Sequence, residues 1–147
     1  MKKSSSTDLP DKQTSGGNVP VPAGTLTLNL FYRLPLFTFC LFIFWQSSFS
    51  FLDSPPLFPH EDKLMHMGAY GFMALLAARN LKHERPFFNR SKLRILAILF
   101  ASLYGLTDEI HQAFVPSREA SIWDFAADIL GSIMGACFYL DFLHRRK

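Results

Sequence analysis

The sequence predicts an all-α integral membrane protein, a four-helix bundle with a disordered polar N-terminal tail. Three observations predict this class: the composition, four apolar stretches of membrane-spanning length, and an uneven distribution of basic residues. Of the 147 residues, 49% are hydrophobic and only 18% are charged, whereas roughly a quarter of an ordinary soluble domain is charged. With two cysteines, Cys40 and Cys137, the chain is neither a disulfide-rich scaffold nor a four-cysteine zinc protein.

Residues 1–29 are polar and contain Ser, Gly and Pro, so we expect a disordered tail there. The first apolar stretch begins too far from the N-terminal lysines for a secretory signal peptide. Residues 34–52 then run for 19 residues without a formal charge, which suffices to cross about 30 Å of hydrocarbon. Pro35 is expected in the first turn, where proline is tolerated. Because it lacks charges, this helix is expected at the periphery of the bundle.

Three further apolar stretches predict helices at 65–81, 95–115 and 122–143. Each has about the length of one membrane span. Polar segments separate the stretches, and together with the first helix they define one transmembrane domain at 30–147. Of the 15 Lys and Arg residues, 13 fall in the tail, the middle connection or the C-terminus, leaving Lys63 and Arg118. Because cytoplasmic segments are enriched in Lys and Arg, both termini are expected in the cytoplasm. The distribution of Lys and Arg is therefore explained by membrane topology, and nucleic acid is not expected as a partner.

Ionisable residues inside membrane spans are costly, at about 2.5–3.5 kcal/mol each on insertion scales, and they usually mark a site. Here they gather toward the predicted outer ends of helices two, three and four. They are Asp62, Lys63, His66, Asp108, Glu109, His111, Gln112, Asp124 and Asp128. Helical spacing adds Tyr70 and Tyr104 to the same faces. Two glycine pairs, Gly131 with Gly135 and Gly68 with Gly71, are of the kind that lets helices approach closely.

Two interpretations of this polar cluster stay open: a buried network that fixes helix register, and a site open to the outer leaflet. For the second, the candidate acid–base residues are Asp108, Glu109, His66 and Asp124. The candidate substrate-binding residues are Arg118, Lys63, Asp62, Tyr70, Tyr104, Gln112, Ser121 and Asp128. Arg118 lies between helices three and four, from where its guanidinium is expected to fold over the acids and clamp an anion. Tyr70 and Tyr104 serve equally well as interhelical hydrogen-bond partners.

No cofactor is predicted. A divalent metal is an alternative, since Zn²⁺ and Mn²⁺ accept such ligands, and the candidates are His66, Asp108, Glu109, His111 and Asp124. Their spacing matches no established motif, because DEIHQ differs from H-E-x-x-H. A proton-coupled transporter component or a non-catalytic accessory subunit is a further alternative. Four helices are few for a transporter unless the chain forms a homo-oligomer.

The run DKLMHMGAY resembles the D-K-x-x-H-x-x-x-Y motif of the VanZ-like membrane protein family. The run from Tyr104 to Gly135 resembles that family's second block, Y-G-x-x-D-E-x-x-Q-x-F-x-P-x-R-x-x-S-x-x-D-x-x-x-N-x-x-G-x-x-x-G. Together the two runs cover about half of the chain, from Asp62 to Gly135. Two departures stand out: Ser117 replaces a glycine, and Asp128 replaces an asparagine.

The resemblance implies a small multi-helix protein of the bacterial cytoplasmic membrane. The family takes its name from a protein that gives low-level resistance to glycopeptide antibiotics, teicoplanin especially. An envelope-linked role follows as an expectation, with a lipid or cell-wall precursor bound or modified at the outer-leaflet site. Whether the chain is an enzyme is left open. The lipid bilayer is the expected environment, and Asp128 puts in doubt any role that needs an amide at its position.

Overall fold

The computed structural model describes residues 23–49, 58–116 and 118–143. Within these ranges the chain forms four α-helices and no strand. They are α1 (Ala23–Ser47), α2 (Glu61–Glu84), α3 (Arg90–Gln112) and α4 (Ile122–Cys137), and a π-helical segment, Phe138–Leu143, continues α4 directly. The predicted all-α, four-helix class is confirmed. Of the tail predicted at 1–29, residues 1–22 lie outside the described residues.

The helix boundaries follow local sequence features. Asn89 caps α3, because its side-chain oxygen accepts a hydrogen bond from the Lys92 amide at 2.8 Å. Ser121 caps α4 in the same way, with its hydroxyl accepting from the amide of Trp123 at 3.3 Å. The helix predicted at 122–143 spans α4 and the π-helical segment together. The other predicted cores, 65–81 and 95–115, fall largely within α2 and α3.

The start of α1 corrects two expectations. The helix begins at Ala23, so residues 23–29 are helical rather than part of a disordered tail. The residue before Ala23 is Pro22, and proline is tolerated at the start of a helix but disrupts its interior. Pro35 therefore lies inside α1 and not in its first turn. A proline there leaves the carbonyl four residues earlier without its helical donor, and Arg79 of α2 donates to that carbonyl, Phe31 O, at 3.5 Å.

The end of α1 also differs from the prediction. The expected helix 34–52 ends at Ser47, and Ser48 and Phe49 continue in a turn. The Ser48 amide still bonds to the Phe44 and Trp45 carbonyls at 3.2 Å each, which closes the last turn of the helix. Residues 50–57 lie outside the described part of the chain.

Side-chain contacts define how the helix ends meet. Arg33 of α1 pairs with Glu84 at the end of α2, and Arg94 near the start of α3 pairs with Asp141. At the opposite end, Lys63 of α2 pairs with Asp124 at the start of α4. Hence α2 and α4 run parallel to each other, and α3 runs against both. We call the end that contains Asp62, Asp108, Glu109, Asp124 and Asp128 the acidic end, and the other the basic end.

Helices α2 and α4 are in direct backbone contact at glycines. A methyl group added at Gly131 would overlap the Met67 carbonyl oxygen, and one at Gly135 would overlap that of Gly71. Only glycine permits such an approach. Gly68, by contrast, faces open space, with nothing within 4 Å of an added methyl group. The predicted role in helix packing therefore belongs to Gly71, Gly131 and Gly135, and Gly68 has no part in it.

Two helical stretches are long and apolar enough to cross a membrane, Leu30–Ser47 and Ile122–Leu143. Large apolar side chains of α1 face outward, and Phe37, Phe44 and Trp45 are each more than half exposed. An apolar surface of this size suits lipid better than water. In α1, only Ile43 and Ser47 are buried among the residues whose side chains are described, which agrees with the peripheral position expected for this helix.

Candidate functional site

Three side chains from three helices meet at the acidic end. His66 Nδ1 of α2 lies 3.0 Å from Asp128 Oδ1 of α4 and 3.8 Å from Glu109 Oε1 of α3. One nitrogen or oxygen atom of each side chain can be chosen so that all lie within 4.8 Å of one another. We call His66, Glu109 and Asp128 the central cluster. It joins two predicted acid–base candidates to Asp128, which was predicted only as a binding residue.

The central cluster is enclosed yet incompletely bonded. Asp128 is fully buried and Glu109 is 6% exposed. Asp128 Oδ2 and Glu109 Oε1 are both buried, and neither meets a hydrogen-bond partner among the described residues. Buried carboxylate oxygens without partners are expensive, and they are uncommon in native structures outside functional sites. The His66 side chain remains 18% exposed, so the cluster is reached from the His66 side.

The chain positions both carboxylates with backbone groups. The Ser121 amide donates to Glu109 Oε2 at 2.8 Å, which turns the other oxygen, Oε1, toward His66. Ser121 thereby ties the end of α3 to the start of α4 besides capping α4. Gly105 makes room for the second carboxylate, because an added methyl group would lie 2.6 Å from Asp128 Oδ2. A glycine inside a helix lowers helix propensity and often has a packing reason, and that pattern is the sequence feature that could have identified Gly105.

A second group of charges lies at the N-terminal ends of α2 and α4. Lys63 Nζ donates to Asp124 Oδ1 at 2.8 Å and to Asp62 Oδ2 at 2.9 Å. Lys63 and Asp62 precede the predicted span at 65–81. Their hydrogen bonds, first to Asp124 and then to Asp62, raise the pKa of Lys63 above its usual value. The hydrogen bond from Lys63 likewise lowers the pKa of Asp62. Lys63 is therefore charged at neutral pH, and its charge is shared by two acids.

The remaining acid–base candidate, Asp108, is bonded within α3. Its Oδ2 accepts from Gln112 Nε2 at 3.1 Å, one turn further along the helix, and both residues are buried. Tyr70 stacks on the His66 ring with 6.1 Å between the ring centroids. Its hydroxyl is buried and meets no hydrogen-bond partner in the part of the chain that the structure describes. Tyr70 thus borders the central cluster, and Gln112 restrains Asp108.

Three predicted residues face α1. Arg118 Nη2 donates to the carbonyls of Phe49 at 3.0 Å and Gln46 at 3.4 Å. Within the described residues the Arg118 guanidinium has no ion pair, so it does not fold over the acids as expected. Tyr104 donates to the Cys40 carbonyl at 2.7 Å, and His111 Nε2 lies 3.1 Å from the Ser48 hydroxyl. These contacts fasten the C-terminal half of α1 and the turn after it to the bundle, and no sequence feature indicates Ser48 as a partner.

Taken together, the fold and the site define a helical membrane protein with a buried histidine–carboxylate cluster at one end of its bundle. The sequence pattern of the VanZ/LLP1 family matches residues 5–144, and the chain belongs to this family. Neither a curated protein nor a solved structure matches the chain.

Proposed function

We propose that this chain binds an envelope lipid or cell-wall precursor at the acidic end of its bundle and exchanges protons with it through the central cluster. The observation that carries the proposal is the pair of buried, unpartnered oxygens, Glu109 Oε1 and Asp128 Oδ2. Such oxygens are acceptors available to an incoming hydroxyl or amide group. Buried acids beside a histidine are also a common arrangement for general acid–base chemistry.

The charge distribution supports a four-span topology in which the acidic end faces outward. Basic residues occupy the connection between α2 and α3 and the helix ends beside it, at Lys82, Arg85, Arg90, Lys92 and Arg94, while the connection between α3 and α4 has Arg118 as its one basic residue. Cytoplasmic connections carry the excess of Lys and Arg. This orientation places the central cluster in the outer half of the cytoplasmic membrane, where an envelope precursor is exposed.

The side chains suit different parts of such a ligand. Glu109 Oε1 is the proposed proton acceptor, since Ser121 holds only its other oxygen. His66 links Glu109 to Asp128 and is the proposed proton carrier between them. Lys63, whose side chain is 29% exposed, supplies positive charge beside an anionic head group. Asp108, bonded to Gln112, is the less suitable base.

Family membership supports a role in glycopeptide resistance, because the protein after which the family is named gives resistance to teicoplanin. In this proposal, binding or modifying a precursor changes the amount or the chemical form of the precursor that the antibiotic encounters at the outer surface. The effect on cells therefore depends on the same carboxylates that bind the precursor.

A structural role is the second candidate, and specific contacts favour it. Lys63 and Asp124 form a direct ion pair at 2.8 Å, and Gln112 donates a hydrogen bond to the Asp108 carboxylate. Networks of this kind fix helix register even though buried ion pairs stabilise proteins weakly. In a purely structural network, neutralising a carboxylate reduces stability, and ligand binding changes only as a consequence of that loss.

Binding separates the two candidates. The full-length protein, reconstituted in nanodiscs, is offered a polyprenyl-linked cell-wall precursor and examined by native mass spectrometry. We expect a bound precursor with the wild type and with Glu119→Gln, whose carboxylate is exposed in the connection before α4, but not with Glu109→Gln. Equal binding by Glu109→Gln and the wild type would contradict the proposal. Loss of binding together with loss of the folded state would support the structural role.

A further inference from the structure

We propose that the central cluster is a binding site for one divalent transition-metal ion, with zinc as the best fit. The proposed ligands are His66 Nδ1, Glu109 Oε1 and one carboxylate oxygen of Asp128. The ligand set differs from the one that the sequence suggested, because Asp108 and His111 bond elsewhere and Asp124 pairs with Lys63.

The distances between the ligand atoms suit a small ion. Zinc binds imidazole nitrogen and carboxylate oxygen at about 2.0–2.2 Å, so tetrahedral ligand atoms lie about 3.4 Å apart. The Nδ1–Oδ1 distance of 3.0 Å and the Nδ1–Oε1 distance of 3.8 Å lie on either side of that value. All three chosen ligand atoms lie within 4.8 Å of one another, so Glu109 would move toward the other two ligands when the ion binds. Nitrogen and oxygen ligands of this kind favour zinc over calcium or magnesium.

The charge balance of the cluster favours a cation. Among the described residues, no Lys or Arg forms an ion pair with Glu109 or Asp128. At the acidic end, Lys63 is bonded to Asp62 and Asp124. Arg118 donates to backbone carbonyls at the end of α1 and in the turn after it. Two buried carboxylates that share one histidine as their only possible cationic partner among the described residues are costly. A divalent ion would neutralise both of them at once.

The unpartnered atoms supply an independent observation. Glu109 Oε1 and Asp128 Oδ2 belong to side chains that are more than nine-tenths buried, and neither oxygen has a hydrogen-bond partner in residues 23–49, 58–116 and 118–143. The Ser121 amide holds Glu109 by its other oxygen, as partners of metal-ligating carboxylates commonly do. The carboxylate is therefore fixed in orientation with one oxygen free to ligate.

Three protein ligands leave one position of a tetrahedral site open, the arrangement found in catalytic rather than structural zinc sites. The open position accepts water or an anionic oxygen of a ligand. The inference rests on the proposed function in location, because both use the same side chains, and it changes the chemistry: with the ion bound, His66 and Glu109 would be ligands, and a water at the open position would exchange the proton in their place. Metal content is measured without precursor, and precursor binding is measured with and without chelator, so either proposal can fail alone.

Asp128 makes a sharp test available. The family pattern usually has asparagine at this position, so Asp128→Asn is expected to fold, and the amide replaces an anionic ligand with a poor one. His66→Gln removes the nitrogen ligand. Glu119→Gln is the matched control, since it neutralises an exposed carboxylate away from the cluster. The full-length protein is purified in detergent without a polyhistidine tag, and its zinc content and affinity are measured by elemental analysis and Zn²⁺ titration.

We expect about one zinc per chain in the wild type and in Glu119→Gln, and an affinity lower by at least about 100-fold in Asp128→Asn and His66→Gln. Wild-type protein without stoichiometric zinc after Zn²⁺ loading would overturn the proposal, as would zinc that Asp128→Asn retains in full. If a variant fails to fold, X-ray absorption of the zinc-loaded wild type decides. One imidazole with oxygen ligands supports the site, and ligation without imidazole refutes it.

Discussion

His66 and Asp128 meet where α2 and α4 are in backbone contact, with 3.0 Å between Nδ1 and Oδ1. The next residue of α2, Met67, has its carbonyl against Gly131, which lies one turn beyond Asp128. The separation of the two helices at this glycine therefore sets the distance between the histidine and the carboxylate. Packing and site chemistry are joined at this point of the bundle.

Gly131→Ala is expected to destabilise the protein and to separate His66 from Asp128. The added methyl group meets the Met67 backbone, which cannot rotate away. Overpacking of this kind costs about 1–3 kcal/mol, occasionally more. Thermal unfolding of the purified full-length protein in detergent measures the loss. Gly68→Ala is the matched control on α2, where the methyl group meets open space, and a comparable loss there would contradict the explanation.

Gly105→Ala is expected to act through Asp128. The added methyl group would lie 2.6 Å from Asp128 Oδ2 and 3.1 Å from Asp128 Cβ, so the carboxylate must move. The destabilisation should shrink when Asp128 is also replaced by alanine, because the main clash is then removed. A double-mutant cycle on unfolding temperature tests this coupling. Strictly additive effects would show that Gly105 serves another purpose.

Arg118→Gln is expected to loosen the end of α1 without removing the central cluster. Charged donors contribute about 1.5–3 kcal/mol per hydrogen bond when protected from water, and the loss here should lie at the lower end because Arg118 is only partly buried. Unfolding temperature should fall, while precursor binding in nanodiscs persists. Arg90→Gln, an exposed change at the start of α3, is the control. Loss of binding with unchanged stability would instead make Arg118 the anion clamp that the sequence suggested.

The sequence predicted the helices and the acidic end well, because both depend on local composition and on residues spaced by helical turns. Asp62, His66, Asp108, Glu109, Asp124 and Asp128 were assigned to one end of the bundle. Their partners on other helices could not be read from spacing, since these depend on how each helix is rotated about its axis. Gln112 lies one turn from Asp108 and bonds to it, whereas Glu109, on the next position, faces α2 and α4.

The contacts of α1 were the least predictable. Arg118, Tyr104 and His111 were assigned to the acidic cluster or its vicinity, but each bonds to α1 or to the turn that follows it. Two of these three partners are backbone carbonyls, which carry no residue-specific pattern in a sequence. The start of α1 was missed for another reason: Gly24 and the polar residues Thr25, Thr27 and Asn29 made residues 23–29 look like part of the tail.

Cysteine labelling tests the proposed topology. In a background that lacks Cys40 and Cys137, Glu119→Cys should react with a membrane-impermeant maleimide in intact cells. Arg90→Cys, at the start of α3, should react only after the membrane is permeabilised, because the basic end is expected in the cytoplasm. Labelling of position 90 from outside would reverse the orientation and remove the central cluster from the outer leaflet.

Antibiotic susceptibility of cells that produce the full-length protein tests the central claim most directly, namely that the chain acts through its buried histidine–carboxylate cluster. Wild type, Glu109→Gln and Glu119→Gln are compared at equal membrane levels against teicoplanin, with an empty vector as reference. We predict that wild type and Glu119→Gln raise the inhibitory concentration, while Glu109→Gln, although folded and present in the membrane, gives the empty-vector value. Protection by Glu109→Gln equal to that of the wild type would contradict the claim.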